Sequence, residues 1–115
     1  MLVVYDSRFG TGKKFAQKLD QPIQSVEEKI NEDVIFVTRN EGQGEISQAA
    51  IAFLEANKAF VKGVVVNGDK ERHADTFNFA ADKIAEQYGL KIIAKIQKEG
   101  NEEDVAKVKE FIASI

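Results

Sequence analysis

Met1-Leu-Val-Val-Tyr-Asp-Ser-Arg-Phe-Gly-Thr-Gly-Lys13 decides how the rest of the chain reads. Four apolar residues (Leu2, Val3, Val4, Tyr5) stop at Asp6-Ser7, a Gly-Thr-Gly turn follows, and Lys13, Lys14 and Phe15 open a helical pattern. A strand, a loop of small residues and a helix N-terminus, in that order, form an anion-binding element. The small residues let the backbone approach the anion, the loop N–H groups point at it, and the helix dipole favours negative charge. The expectation is an α/β domain with a phosphate site at the end of its first strand.

Outward from this loop, apolar runs and helical periodicities alternate. A helix is expected over residues 11–19, with Phe15 and Leu19 on one face. A weak second strand follows over 21–26, then a polar stretch to Asp33. Val34-Ile-Phe-Val37 has the continuous apolar character of a strand buried on both faces of a parallel sheet. The pattern then predicts a polar loop over 38–45 and a helix over 46–57, with Ile46, Ala49, Ala50, Phe53 and Leu54 inward. A strand over 63–66 leads to a polar loop over 67–74 and a helix over 75–88 that Gly89 stops. A fifth strand over 91–96 precedes a last helix over 101–115, capped by Asn101 with Glu102, Glu103 and Asp104 in its first turn. Phe15, Phe36, Phe53, Phe77 and Phe111 fall at buried spacings.

Five apolar strands joined by helical crossovers imply a parallel sheet with helices on both faces. Ligands bind such sheets beyond the carboxyl ends of the strands. The loops after the first, third and fourth strands meet at that edge.

Composition narrows the classes. The chain has 115 residues, no cysteine and one histidine, which removes thiol chemistry and any metal site built on several imidazoles. No apolar run approaches the ~20 residues that span a bilayer, and there is no secretory leader pattern, so a single cytoplasmic domain over 1–115 without membrane contact is expected. A net charge of −3 offers no global attraction to nucleic acid. The first loop lacks the Gly-x4-Gly-Lys-Ser/Thr spacing of a nucleotide P-loop. Asp6 suits an acidic pocket of the response-regulator kind, but the third strand ends in Val37-Thr38, without a phosphoacceptor aspartate. A glycine turn with no ligand remains the plain alternative for this loop.

Several segments together resemble one family. Tyr5-Asp-Ser-Arg-Phe-Gly10 with Lys14-Phe15, Thr38-Arg-Asn-Glu-Gly-Gln43, Phe53-Leu-Glu55, Gly63-Val64, Asn67-Gly-Asp69, Phe77, Ala81-Asp-Lys-Ile-Ala-Glu-Gln-Tyr88 and Glu99-Gly-Asn-Glu-Glu-Asp-Val105 look like the NrdI flavodoxin-like proteins, in the right order along nearly the whole chain. The resemblance implies a flavodoxin-like, doubly wound, five-stranded parallel α/β sheet of order 2-1-3-4-5. It also implies non-covalent FMN and a redox accessory flavoprotein rather than an enzyme with its own substrate. The partner would be the class Ib ribonucleotide reductase small subunit, supplied with a reduced-oxygen oxidant for assembly of its dimanganese–tyrosyl radical cofactor. A separate reductant, not identified by the resemblance, would feed the flavin.

Carried over by position, Ser7, Arg8, Phe9, Gly10, Thr11 and Gly12 surround the FMN phosphate. Thr38, Arg39, Asn40, Glu41 and Gly42 flank one side of the isoalloxazine, and Asn67, Gly68, Asp69, His73, Asp75 and Phe77 the other. Gly42 and Gly68 present backbone to the ring edge, and Arg39 and Arg72 place positive charge near a reduced flavin, partly cancelled by Glu41, Glu45, Asp69, Glu71 and Asp75. The family usually carries Thr where Phe9 stands and Trp-Gly where the chain reads Arg72-His-Ala74, and its loop aromatics fall at Val37 and Glu41. Any aromatic stacking on the flavin therefore falls to Phe9, His73 or Phe77. The alternatives are an NrdI-like interaction module with weak or no flavin binding, and a generic flavodoxin-like electron carrier.

Overall fold

A computed structural model describes residues 1–7, 10–41, 44–69 and 79–115. Its strands are β1 (Leu2–Tyr5), β2 (Ile23–Ser25), β3 (Val34–Glu41), β4 (Glu45–Ile46), β5 (Val61–Gly68) and β6 (Ile92–Gln97). The helices are α1 (Thr11–Gln17), α2 (Gln48–Asn57), α3 (Phe79–Tyr88) and α4 (Glu102–Ser114), with a 3-10 turn over Lys58–Phe60. The sheet order is β2-β1-β3-β5-β6 with every pairing along that path parallel, and β4 pairs antiparallel with β3 at its far end. This is the expected 2-1-3-4-5 arrangement of five parallel strands with one short strand added.

Strand alternation builds the layers. Val4, Phe36, Val64 and Val66 point to one face, where Phe53 and Leu54 of α2 and Ala80, Ala81 and Ile84 of α3 cover them. Val3, Ile35, Val37 and Val65 point to the other, against Phe15, Ala16 and Leu19 from the α1 side and Val108 of α4. Because both faces are covered, these strands are apolar throughout rather than alternating. Phe36 and Phe53 stack with centroids 4.6 Å apart and planes at 23°. Phe15 is fully buried as expected, whereas Phe111 is only partly so; Phe77 lies outside the described residues. Between α2 and α3, the Tyr88 hydroxyl donates to Glu55 Oε1 at 3.1 Å. Burial first, then that bond and the negative charge of Glu55, push the phenol above its ordinary value.

Several boundaries move for local reasons. Strand β2 shrinks from 21–26 to Ile23–Ser25 because Pro22 has no N–H to give and contributes only its carbonyl, which accepts from Val3 N at 2.9 Å. Helix α1 closes at Gln17 because Lys18 and Leu19 bond back three residues, to Phe15 and Ala16, and Asp20 turns out at φ 56°. The largest change is at 38–46. Strand β3 runs on to Glu41, and Glu45–Ile46 folds back on it with Asn40 opposite Ile46 and Glu41 opposite Glu45. The expected loop is therefore a hairpin, and α2 starts at Gln48 because Ser47 caps it, accepting from Ala50 N at 3.1 Å. Helix α4 has the expected start, a reciprocal capping box between Asn101 and Asp104.

Candidate functional site

The parallel strands β1, β3 and β5 end at Tyr5, Glu41 and Gly68, all on one edge of the sheet. Ser7, Gly10, Thr11, Gly12, Thr38, Arg39, Asn40, Glu41, Asn67, Gly68 and Asp69 therefore lie along the same rim. Arg8, Phe9, Gly42, His73, Asp75 and Phe77 lie outside the described residues.

The first loop feeds straight into α1. Gly10 stands at the N-cap with φ 83°, a left-handed conformation glycine takes without strain, and a Cβ there would meet nothing within 4 Å. A Cβ on Gly12 would sit 3.5 Å from Val37 Cγ1 and 3.6 Å from the Asp6 carbonyl, so the first turn of α1 lies close on β1 and β3. Among the described residues no side chain caps α1, and no acidic residue sits in its first turn. Its leading N–H groups thus keep the capacity to bind an anion, which α2 and α4 use on Ser47 and Asn101. Ser7 Oγ is buried and has no hydrogen-bond partner among the described residues. A buried hydroxyl without a partner carries a desolvation cost that a ligand oxygen would remove. Lys13 adds positive charge beside this loop, its Nζ 5.8 Å from the Tyr5 ring centroid.

The second loop is organised by a residue absent from the expected site. Asp6 is 3% exposed, and its carboxylate accepts from Thr38 Oγ1 at 2.9 Å, from Arg39 Nη1 at 2.6 Å and from the Ser47 hydroxyl. Arg39 also donates from Nε to Glu41 Oε2 at 2.8 Å, so its guanidinium is shared between two carboxylates of the chain itself. Glu41, expected to offset Arg39, is bonded to it, and Asp6 adds a second carboxylate. Asn40 Oδ1 accepts from Ala80 N at 3.0 Å, which joins the hairpin to the start of α3. Gly44 (φ 91°) lies directly under Phe79, leaving no room for a Cβ, and Phe79 is 45% exposed on this rim. Sequence reasoning did not place Asp6, Ser47 or Phe79 in the site. The serine before a helical run was the one local signal available.

At the third loop, Asn67 is 7% exposed, donates from Nδ2 to the Lys98 carbonyl at 3.4 Å, and leaves its Oδ1 buried with no partner among the described residues. Asp69 accepts from Gln97 Nε2 at 3.3 Å and the Gly68 carbonyl accepts from Lys98 N at 2.8 Å, so the end of β5 is fixed from the β6 side. Among the described residues the rim thus offers a buried hydroxyl with uncapped helix N–H groups at one end and an unmatched amide oxygen at the other. That donor and acceptor set fits a ligand with an anionic phosphate and a polar, N–H-bearing ring.

Known proteins place this architecture. The solved structure of oxidised Flavodoxin 2 from Bacillus cereus superposes with a TM-score of 0.66 at 18% identity, covering 98% of this chain and 94% of that one. The flavodoxin of Streptococcus pneumoniae TIGR4 gives 0.62 at 21% identity, covering 99% and 98%. At those identities the match concerns the fold. In sequence, the chain is 31% identical over 106 residues to the protein NrdI of Bacillus licheniformis, covering 90% of this chain and 80% of that one. It is 28% identical over 112 residues to the SPbeta prophage-derived protein NrdI of Bacillus subtilis strain 168, covering 92% and 86%. The model of the family described as NrdI Flavodoxin like matches residues 3–110. With the family model matched over nearly the whole length and a relative above 30% identity, the chain belongs to the NrdI flavodoxin-like family.

Proposed function

We propose that this protein binds FMN at the rim formed by β1, β3 and β5, and that it serves the class Ib ribonucleotide reductase small subunit. The observation that carries the reading is that, among the described residues, the buried Ser7 hydroxyl has no partner and the start of α1 no side-chain cap, in a chain of this family. Ser7 Oγ and the N–H groups of Thr11 and Gly12 would hold the phosphate, with Lys13 close by. Asn67 Oδ1 would accept from the ring, and Gly68 would bring backbone to its edge. Bound flavin would supply the redox step by which oxygen is reduced to the oxidant passed to the small subunit. The chain's own part is to bind and orient the flavin, and to set the charge around it through Arg39, Glu41 and Asp6.

The first test is the visible spectrum of the purified protein, followed by FMN titration. Bands near ~370 and ~450 nm, as expected of an oxidised flavin cofactor, support the reading. A colourless protein that does not take up added FMN overturns it and leaves a family member that acts through its surface alone. The partner assignment has its own assay. Reduced, FMN-loaded protein, manganese and oxygen are mixed with a class Ib small subunit, and the tyrosyl radical is followed by electron paramagnetic resonance. Radical yield that does not depend on the protein rejects that partner.

A further inference from the structure

We propose that Asp6 is a positioning residue: its buried carboxylate sets the second loop of the rim before any ligand arrives. The inference deepens the flavin-site reading and rests on it for the ligand, but not for the loop. Three donors from two further elements converge on this one side chain. Thr38 Oγ1 and Arg39 Nη1 come from the end of β3, and the Ser47 hydroxyl comes from the cap of α2. Ser47 and Arg39 each have a second attachment. Ser47 accepts from Ala50 N and so ties the carboxylate to the first turn of α2, while Arg39 reaches Glu41 on the outgoing leg of the hairpin. Asp6 itself is held in register by its backbone N–H, which donates to the Val37 carbonyl at 2.8 Å. Both legs of the β3–β4 hairpin are thereby referred to the same atom group that opens the phosphate loop.

Stability does not explain such a group. Removing a carboxylate from water costs more than burying a well-packed apolar side chain of the same size, and buried ion pairs are commonly replaced by apolar residues without loss. What an apolar replacement cannot do is select one arrangement of three donors. The directional, charge-assisted bonds fix where β3 leaves the sheet relative to β1, and therefore where the ring-side loop stands relative to Ser7. A ligand that meets a loop already in place avoids the ordering cost of arranging it.

The test is hydrogen–deuterium exchange on the flavin-free protein, comparing wild type with Asp6→Asn and Thr38→Val. The expected result for D6N is exchange at least tenfold faster across residues 38–51 beyond whatever change residues 92–114 show. T38V, which removes one arm and keeps the ion pair, should give a smaller increase that is again largest in the hairpin, and it decides the question if D6N does not fold. Unchanged exchange at 38–51, or equal acceleration through 92–114, overturns the proposal, because the carboxylate would then be inert or merely part of global stability. Affinities add a readout that a purely structural role would not move. D6N or T38V should weaken FMN and riboflavin by the same factor, because the ring side is affected, whereas Ser7→Ala should weaken FMN alone. Loss of FMN binding with riboflavin binding intact in T38V overturns the ring-side assignment. Wild-type protein that binds neither flavin rejects the proposed function, and the exchange data then judge the loop by themselves.

Discussion

Ser7 and Asp6 are neighbours with opposite legibility. The run Ser7 to Gly12 can be read as a candidate phosphate loop from its own residues, because Ser7 and Gly10-Thr-Gly12 between a strand and a helix let backbone approach an anion, with a plain glycine turn as the rival. The structure adds that Ser7 Oγ is buried without a partner among the described residues, which gives a clear expectation. Ser7→Ala should lower FMN affinity about tenfold or more, the loss of one hydrogen bond to a charged group at ~1.5–3 kcal/mol. The same substitution should leave the thermal midpoint of the flavin-free protein unchanged or slightly raised, since it removes a buried hydroxyl that gains no bond from the described residues. Fluorescence titration and a melting curve on one preparation check both halves. Asp6 was not legible as a site residue, because its donors stand 32, 33 and 41 residues further along the chain. No local pattern encodes a carboxylate's distant partners.

The strands and helices were mostly legible, since continuous apolar runs and 3.6-residue periodicities are carried within a few turns of chain. Strand β4 was not. Two residues have no period, and Ile46 satisfies the inward face of a helical pattern as well as a strand position opposite Asn40. Ser47 decides between them, and its double bonding makes it more than a cap. Asn101→Ala, which removes an exposed cap of α4, should cost ~1 kcal/mol in urea unfolding. Ser47→Ala should cost more, by a further ~1–3 kcal/mol, because it also takes a donor from the buried Asp6 carboxylate. Equal costs for the two would mean that Ser47 matters only to α2. N101A should also leave FMN affinity untouched, since Asn101 stands at the start of α4 and caps its own helix.

The strand order was available only through family resemblance, because periodicity says which residues pair inward but not which strands are neighbours. The observed order makes β3 the central strand, held between β1 and β5 and buried from Val34 to Thr38. Phe36 lies at its middle, fully buried and stacked on Phe53. Phe36→Ala should therefore cost ~3–5 kcal/mol, a large share of the ~5–15 kcal/mol that holds a domain together, and show as a marked fall in the urea midpoint. The same order bears on kinetics. The Thr38 and Arg39 bonds to Asp6 need only the pairing of β1 with β3, whereas the Ser47 bond closes only after the chain has also returned through β4, so it is expected late in folding. Removing that late bond, as in Ser47→Ala, should mainly speed unfolding in stopped-flow experiments and change the refolding rate less. The carboxylate at the end of the first strand would then act as a lock on departure from the native state, contributing to how long a folded molecule lasts rather than to how fast it forms.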